Sequence, residues 1–528
     1  MRHSGLTMFP FLVAILFPLA TSDQSHNDFL QCLYRCSENS SSISKLIYTP
    51  NNPSYSSVLE FSIQNLRFNT TTTPKPLLIV TPTTLSHIQA SITCSRKHGL
   101  QVRVRSGGHD LEGLSYISYT LPFIIIDLIN LRDISLDLSN RHAWVQAGAT
   151  IGELYYALIK TTRTLAFPAG DCPSVGLGGH ISGGGYGNLM RKYGLATDNV
   201  IDAQLIDVNG RILNRSSMGE DVFWAIRGGG GNTFGVVVAW KINLVPVPPT
   251  VTVFTVRTTE EKNATKLVHR WQYIANKLPE DLYILAFVEK TNSGPGGSLT
   301  KEAKFTGLFL GGINELLQLV EQRFRDLGLA KEDCSEMSWV ESNLYFSDIP
   351  SGTPLEILLD RTLLKSTFKA KSDYLKVPMP ETVFETVWKM LDEVDVAGME
   401  LIPYGGRMSE IPESSIPFPH RADNICKIGY LVSWDEAESS EKYISWIRKL
   451  YSYMGLYVSK DPREAYANYR DLDIGVNDPA GKTSYEKASI WGKKYFKNNF
   501  DRLVRVKTQI DPTNFFRNEQ SVPSHLSK

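Results

Sequence analysis

The chain has 528 residues and a formal net charge of zero. This length predicts two or more domains with an ample core. The neutral balance argues against a nucleic-acid or membrane-surface partner, and the 10% of aromatic residues argues against disorder.

The first 22 residues read as a secretory signal peptide. Residues 8–19 form an apolar run that is too short to span a bilayer, and Ala20, Thr21 and Ser22 make a small-residue cleavage site. A membrane anchor is the alternative interpretation. We expect a soluble, secreted or endomembrane-derived protein, located in the cell wall or the vacuole. Four sequons agree with that route and predict glycosylation at Asn39, Asn69, Asn214 and Asn263.

Six cysteines suit an oxidising compartment, and no pair has the repeated spacing of a zinc site, so no metal is expected. Cys32 and Cys36 are close enough in sequence that either could lie opposite Cys94. If a ligand occupies Cys172, five cysteines remain, so at least one is free or paired between chains.

The elements up to residue 245 alternate between strands and helices. A strand at 77–80, a helix from the cap Thr84 to His98 that Gly99 stops, and a strand at 100–105 form a βαβ-like unit. Further strands are predicted at 123–128, 143–147 and 234–244. A capping box at residues 150–153 opens a helix to about 161, and a helix is expected at 221–227. Asn209 and Gly210 predict a hairpin between strands at 203–208 and 211–214.

Residues 246–249 contain three prolines and mark a boundary. Beyond it, amphipathic helices at 264–278, 314–329 and 436–454 alternate with strands at 251–257, 282–289, 303–310 and 427–434. This pattern predicts an α+β domain whose antiparallel sheet has helices on one face and a groove on the other. The glycine-rich and aromatic character returns near residue 467, with a helix at 495–507. We therefore predict a split first domain (23–245 and 467–528) with an inserted second domain (246–466).

Two stretches could carry chemistry. In the first, a strand runs into Arg105, Ser106, Gly107, Gly108 and His109. Such a turn can wrap its backbone amides around a pyrophosphate, with Arg105 paired to the phosphates. The alternative is a tight turn with a surface histidine.

The second stretch is Cys172 and the glycine run that extends to Gly187. Backbone without side chains suits close approach to an anion or a flat ligand. The alternative is a structural cysteine before a flexible loop. A dinucleotide-binding G-x-G-x-x-G, a Walker motif, H-E-x-x-H and G-x-S-x-G are all missing from the sequence.

Together these stretches resemble the berberine bridge enzyme-like plant oxidases, the family of the cannabinoid synthases and of monolignol and carbohydrate oxidases. The resemblance covers residues 29–523. It rests on Arg105-Ser-Gly-Gly-His109-Asp110, Cys172-Pro-Ser-Val-Gly-Leu-Gly-Gly-His180, Phe223-Trp-Ala-Ile-Arg-Gly-Gly-Gly-Gly231, Asn468-Tyr-Arg-Asp-Leu-Asp473 and Asp511-Pro-Thr-Asn-Phe-Phe-Arg-Asn-Glu-Gln520.

The resemblance implies an α+β fold with a split FAD domain of the vanillyl-alcohol-oxidase type and an inserted substrate domain. It implies FAD attached at two points, through His109 and Cys172, and a Cys32–Cys94 disulfide. The remaining cofactor-binding residues implied by the resemblance are Arg105, Ser106, Gly107, Gly108, Asp110, Val175, Gly178, Gly179, His180, Gly184, Tyr186, Gly187, Gly235, Val236, Tyr466, Asn468, Asn514 and Phe516.

For catalysis the resemblance implies Tyr469 as the base, with Lys427 and Tyr193 completing the set. A tyrosine acts as a base near neutrality only when a cationic neighbour lowers its pKa. Gly429 departs from the pattern, because many relatives carry Gln or Glu two residues after the lysine. Phe287 stands where cannabinoid synthases have a histidine that contacts the substrate, so that specific activity is not supported.

Val175 matches the position in the family that controls access of O2, and valine there implies an oxidase that produces H2O2. The sequence thus predicts a monomeric FAD oxidase that removes a hydride from an alcohol or activated C–H centre of a plant metabolite. Its expected partners are a small-molecule substrate and O2, with no nucleic acid and no membrane. The alternative is a flavin-containing cyclase, or a binding or defence protein, whose main role is not net redox.

Overall fold

The structure, a computed structural model, describes residues 20–37, 40–120, 122–231, 233–292, 298–363, 365–435, 439–478 and 483–525. Most of the predicted signal segment and Asn39 lie outside these residues. Among them, no helix is both long and apolar enough to cross a membrane. Asn69, Asn214 and Asn263 are exposed, and their glycosylation stays a prediction.

The first part of the chain contains two larger sheets and a two-stranded antiparallel pairing of β7 with β11. A four-stranded sheet has the order β1-β2-β4-β3, with β2, β4 and β3 parallel, and a five-stranded antiparallel sheet has the order β5-β6-β10-β8-β9. The elements are α1 (Ala20–Cys36), α2 (Ser40–Ser44), β1 (Ile47–Tyr48), α3 (Tyr55–Phe61), β2 (Leu78–Val80), α4 (Leu85–His98), β3 (Gln101–Arg105), β4 (Phe123–Asp127), β5 (Ile134–Asp137), β6 (His142–Gln146), α5 (Ile151–Ile159), β7 (Leu165–Ala166), α6 (Leu177–Ser182), α7 (Met190–Tyr193), β8 (Val200–Ile206), β9 (Ile212–Leu213), α8 (Arg215–Ile226), β10 (Val236–Asn243) and β11 (Val245–Pro246).

Local signals in this part are confirmed where they are strong. Helix α4 ends at Gly99, whose φ of 66° is the left-handed conformation that glycine adopts without strain. Helix α5 begins with the predicted capping box between Thr150 and Glu153. Helix α8 is interrupted at Gly219, whose φ of 77° is not helical, so the helix predicted at 221–227 is found after this kink. A short helical turn precedes the kink, and the Asn214 side chain caps it by accepting a hydrogen bond from Ser217 N.

The second part is built on one seven-stranded antiparallel sheet with the order β15-β12-β14-β13-β17-β18-β16. Helices α9, α10, α12 and α14 pack on one face of this sheet, as predicted. The elements are β12 (Val251–Thr259), α9 (Ala264–Trp271), β13 (Leu282–Thr291), β14 (Thr300–Phe309), α10 (Ile313–Arg323), β15 (Cys334–Met337), α11 (Trp339–Phe346), β16 (Thr367–Leu375), α12 (Glu381–Leu391), β17 (Val396–Pro403), α13 (Arg407–Glu410), β18 (Cys426–Trp434) and α14 (Ser440–Met454).

The last part of the chain returns to the first sheet. It contains α15 (Tyr485–Phe496) and α16 (Asn499–Ile510). The helix predicted at 495–507 is found as α16, which begins four residues later than predicted, and α15 was not predicted. Helix α15 ends at Lys497, whose φ of 47° is not helical. Arg103 on β3 forms an ion pair with Glu519 (2.9 Å), and Gln101 donates to the carbonyl of Arg517 (2.8 Å). The predicted α+β fold is confirmed: after the seven-stranded sheet, the chain returns to pack against the first part.

A disulfide ties the N-terminal helix to the first βαβ unit. Cys32 on α1 and Cys94 on α4 form it, which confirms the pairing implied by the resemblance. Cys36 is one turn away, with its Sγ 4.0 Å from that of Cys32. Among the described residues the other four cysteines are free.

Candidate active site

A cavity of about 790 Å³ lies between the first two sheets and the open face of the seven-stranded sheet. Its wall contains the end of β3, the glycine run after Cys172, parts of β16 and β18, and the segment that rejoins the first part. The predicted site residues that line the cavity are Ser106, Gly107, Gly108, His109, Asp110, Cys172, Val175, Gly178, Gly179, His180, Tyr186, Tyr466, Asn468 and Tyr469.

The two glycine motifs pack backbone to backbone. A Cβ on Gly107 would lie 2.3 Å from Gly176 N, and a Cβ on Gly178 would lie 2.6 Å from the carbonyl oxygen of Ala147. Only glycine permits this approach. The result is a wall of main chain that can contact a large flat ligand without intervening side chains.

His109 and Cys172 face the same cavity and are connected through Ser174. His109 Nε2 lies 3.0 Å from Ser174 Oγ, which is 3.7 Å from Cys172 Sγ. Burial lowers the pKa of His109 to about 4, so its imidazole is neutral and retains a nucleophilic nitrogen. Burial raises the pKa of the Cys172 thiol, so the thiol is protonated at neutral pH.

The segment around Asn468 fixes the glycine run in place. Asn468 donates to the carbonyl of His180 (2.9 Å) and to the hydroxyl of Tyr466 (3.1 Å), which itself accepts from Gly185 N (2.9 Å). His180 Nε2 accepts from Gly170 N (3.2 Å), so this nitrogen is unprotonated. Burial lowers the pKa of His180 to about 4.

Opposite the glycine wall, two tyrosines and a lysine form an aromatic cluster. The hydroxyls of Tyr186 and Tyr469 are hydrogen-bonded to each other. Lys427 Nζ lies 3.6 Å from the ring centre of Tyr186 and 3.7 Å from that of Tyr469. It has no hydrogen-bond partner among the described residues. Burial lowers the pKa of Lys427, and the negative charges of Glu400 and Asp171 oppose that shift.

The structure does not reproduce the lowered pKa expected for Tyr469. Burial and then the charge of Glu400 raise the pKa of Tyr469 well above its ordinary value, while its hydrogen bond with Tyr186 opposes the rise. Lys427 contacts the faces of the rings and donates to neither hydroxyl, so it does not stabilise a phenolate as a hydrogen bond would. Tyr469 is therefore a phenol at neutral pH.

Two predicted site residues are placed elsewhere. Arg105 is fully buried and bonded to Asp127 (2.6 Å) and to the carbonyls of Val58 (2.8 Å) and Leu59 (2.7 Å), so pairing with phosphates is wrong. Tyr193 does not line the cavity, and its hydroxyl donates to the carbonyl of Pro246 (2.5 Å). Its role in catalysis stays a prediction.

Six further cofactor predictions fall behind the wall or beside it. Gly187 packs against the backbone of Ala169, where a Cβ would lie 1.8 Å from the carbonyl oxygen. In two regions the neighbouring residues Val237 and Asn518 line the cavity instead. The predicted residues that do not line it are Gly184, Gly187, Gly235, Val236, Asn514 and Phe516.

Sequence reasoning missed three polar side chains of the site. Ser174 lies within a motif that was recognised, but a serine between a proline and a valine carries no signal of its own. Asp171 precedes Cys172, and burial raises the pKa of its carboxyl. Glu400 lies on β17, a strand that was not predicted.

These residues fit a flavin cofactor. The cavity has the volume of a large ligand site, its wall is main chain, and a neutral imidazole and a thiol face it from neighbouring turns. The donor set has no cluster of carboxylates that would favour a divalent cation and a triphosphate instead. Ser106, Gly107 and Gly108 would hold the pyrophosphate, and His109 and Cys172 would hold the ring.

Fold and cavity together define a FAD-binding oxidoreductase. The family model described as FAD binding domain matches residues 76–216, and the one described as berberine and berberine like matches residues 465–523. The chain is 51% identical over 515 residues to berberine bridge enzyme-like 28 of Arabidopsis thaliana, covering 96% of each chain. It is 53% identical over 533 residues to tetrahydroberberine oxidase of Berberis wilsoniae, covering 100% of this chain and 99% of the relative.

Solved structures agree. That of berberine bridge enzyme-like 28 from Arabidopsis thaliana has a TM-score of 0.89 at 50% identity, covering 94% of this chain and 100% of that one. That of Phl p 4, a grass pollen allergen with glucose dehydrogenase activity, has a TM-score of 0.89 at 43% identity and covers 94% and 99%. The chain belongs to the berberine bridge enzyme-like family.

Proposed function

We propose that this protein is a secreted oxidase that carries FAD bonded to both His109 and Cys172. It oxidises an alcohol or an activated C–H centre of a plant metabolite and passes the electrons to O2, giving H2O2. The observation that carries the proposal is the placement of His109 and Cys172 on one cavity, joined through Ser174. The Cys32–Cys94 disulfide supports an oxidising compartment.

The bound flavin would supply the oxidising power by accepting a hydride from the substrate. The residues of the chain bind and orient the reactants. The glycine wall leaves one face of the cavity free of side chains, and two bonds to the protein would keep the ring in place. Tyr186 and Tyr469 line the opposite side, and Lys427 packs against the faces of both rings; together they would position the substrate and keep water out.

Val175 supports O2 as the acceptor. It is half-buried in the cavity wall three residues after Cys172, where a valine leaves more space than a leucine or isoleucine. Among the related structures, wild-type Phl p 4 is a glucose dehydrogenase, and an isoleucine-to-valine variant of it is a glucose oxidase. The two tetrahydroberberine oxidases, at 53% and 50% identity, are also oxidases by name.

Acid precipitation tests the attachment of the cofactor. The denatured wild-type protein should stay yellow, and His109→Ala and Cys172→Ala should each keep the flavin through the remaining bond. The double variant should release all of it. Release of the flavin from the acid-precipitated wild-type protein would contradict attachment at either residue.

Turnover of alcohols, sugars and alkaloids tests the reaction. At least one compound should reduce the flavin in a rapid-reaction experiment and give H2O2 in equal amount to the oxidised product. Val175→Leu should slow reoxidation by O2 and leave reduction by the substrate unchanged. A wild-type protein that no compound reduces would favour a binding or cyclase role instead.

A further inference from the structure

Gly429 leaves a gap in the sheet face that borders the cavity, and the side chain of Glu400 occupies it. Glu400 on β17 and Gly429 on β18 are direct cross-strand partners. A Cβ on Gly429 would lie 3.2 Å from Glu400 Oε2 and 3.3 Å from Tyr469 Cε2. The carboxylate of Glu400 therefore reaches the edge of the aromatic cluster from the neighbouring strand.

The period of the strand directs Glu400 to this face. Met399 and Leu401 on either side of it belong to the core beneath the helices, so Glu400 points away from the helices. Across the sheet its other direct partner is Phe287 on β13. Phe287, Glu400 and Gly429 thus form one row on the open face, and the row ends at Tyr469.

The charge of Glu400 is only partly compensated. It forms no ion pair with Lys427 within 4.0 Å among the described residues, although the two influence each other electrostatically. Burial raises the pKa of Glu400 towards neutrality. The positive charges of Lys427 and Lys304 oppose this shift, and the negative charges of Asp171 and Glu289 add to it. A carboxylate in such surroundings is poised to accept a proton and to release it again.

We propose that Glu400 is the proton acceptor of the oxidation, a carboxylate provided by β17 in place of the residue that Gly429 lacks on β18. This inference rests on the proposed function. As a substrate O–H or N–H bond breaks, its proton moves to Glu400 and its electron pair stays with the substrate. Bound FAD would accept the hydride from the neighbouring carbon, and Glu400 later returns the proton to solvent.

The position of Glu400 also explains why Tyr469 is unsuited to this task. A carboxylate beside the ring disfavours a second negative charge on the tyrosine hydroxyl, which is already hydrogen-bonded to Tyr186. Tyr469 and Tyr186 then act as neutral hydroxyls that position the substrate, and the negative charge stays on Glu400.

Glu400→Gln tests the proposal, because it keeps the shape and removes the base. In rapid-reaction experiments with a compound that reduces the wild-type flavin, the rate of reduction should fall about 100-fold or more. The wild-type rate should rise with pH as Glu400 deprotonates, and this limb of the pH profile should vanish in the variant. Tyr469→Phe should lower the rate of flavin reduction less than Glu400→Gln does, and it should keep the rising limb of the pH profile.

Glu289→Gln is the matched control. Glu289 lies two residues from Phe287 on the same face of β13 and is a half-buried carboxyl whose pKa is also raised by burial. This variant should keep a rising limb, moved to lower pH because the charge of Glu289 no longer adds to the raised pKa of Glu400. Loss of the limb in both variants would overturn the specific role of Glu400.

Glu400→Gln alone could lower the yield of flavoprotein, so a second variant moves the carboxylate to the neighbouring strand. In the double variant E400G/G429E the acid returns to β18, and the space that Glu400 vacates accommodates it. Activity and the pH limb should recover relative to Glu400→Gly. A Glu400→Gln enzyme with the wild-type rate and profile would overturn this inference, whereas failure of every compound to reduce the wild-type flavin would contradict the proposed function.

Discussion

The two sides of the cavity are built on different principles. On the cofactor side the wall is mostly main chain, and the buried charges behind it are paired, as in Arg105–Asp127 (2.6 Å) and Lys507–Asp511 (2.7 Å). On the substrate side the wall is made of side chains on an antiparallel sheet. There the buried Lys427 has no hydrogen-bond partner among the described residues.

This difference separates the residues that hold the cofactor in place from those that can take part in proton transfer. A paired buried charge is stable because removal of either partner leaves an uncompensated charge in a medium of low dielectric. An unpaired one is costly, and its pKa shifts towards neutrality. The cofactor side is therefore suited to a fixed geometry. The substrate side has groups that can change protonation near neutral pH, as acid–base catalysis requires.

The largest effect is expected on the cofactor side. In Gly107→Ala the new Cβ would lie 2.3 Å from Gly176 N, and backbone cannot move aside cheaply. The free energy of unfolding should fall by about 3 kcal/mol or more, measured by thermal and denaturant melts. Little folded flavoprotein should be recovered.

Gly179→Ala is the matched control for that prediction. Gly179 also lines the cavity, but a Cβ there meets no atom within 4 Å. The protein should melt like the wild type, and only the loading of FAD should decrease. Equal destabilisation by both substitutions would contradict the view that the two glycine motifs support each other.

A smaller effect is expected from Lys427→Met on the substrate side. Loss of the positive charge should raise the pKa of Glu400 further, since Lys427 opposes the effect of burial there. Because the deprotonated carboxylate is the active form, the rising limb of the pH profile should move to higher pH by about one unit or more. Lys304→Met, which removes a weaker influence on Glu400, should shift it less. A limb that moves to lower pH would contradict this electrostatic assignment.

The smallest effect is expected from a change in Ser174, which links the two attachment residues His109 and Cys172. Ser174 Oγ donates to the carbonyl of Leu363 (3.2 Å), so it accepts from His109 Nε2 and leaves the other ring nitrogen unprotonated. Ser174→Ala should slow flavin attachment about fivefold, the equivalent of one hydrogen bond of about 1 kcal/mol. Acid-precipitated samples taken during reconstitution would measure this. Ser182→Ala, a change in a serine that donates to the carbonyl of Gly178, should have no effect on attachment.

Prediction from the sequence succeeded where the signal is local. Gly99, Thr150 and the Asn209-Gly210 turn each fix a few neighbouring residues, and their elements are found where expected. Strand β17 was missed because Gly398 interrupts its apolar residues. Arg105 was misassigned because nothing in its motif shows that Asp127, on the parallel neighbour β4, already holds it.

The sequence by itself determined the family and the fold class, and the resemblance to that family implied the disulfide pairing and the placement of His109 and Cys172 on one cavity. Motifs of contiguous residues specify a backbone shape, and a main-chain wall needs little more than that shape. Only the tertiary structure decided which groups surround the substrate. Glu400 meets Gly429 because β17 and β18 pair in one register, and Lys427 lies over two rings from other parts of the chain. Protonation depends on these distant neighbours through burial and charge, and no local pattern encodes them.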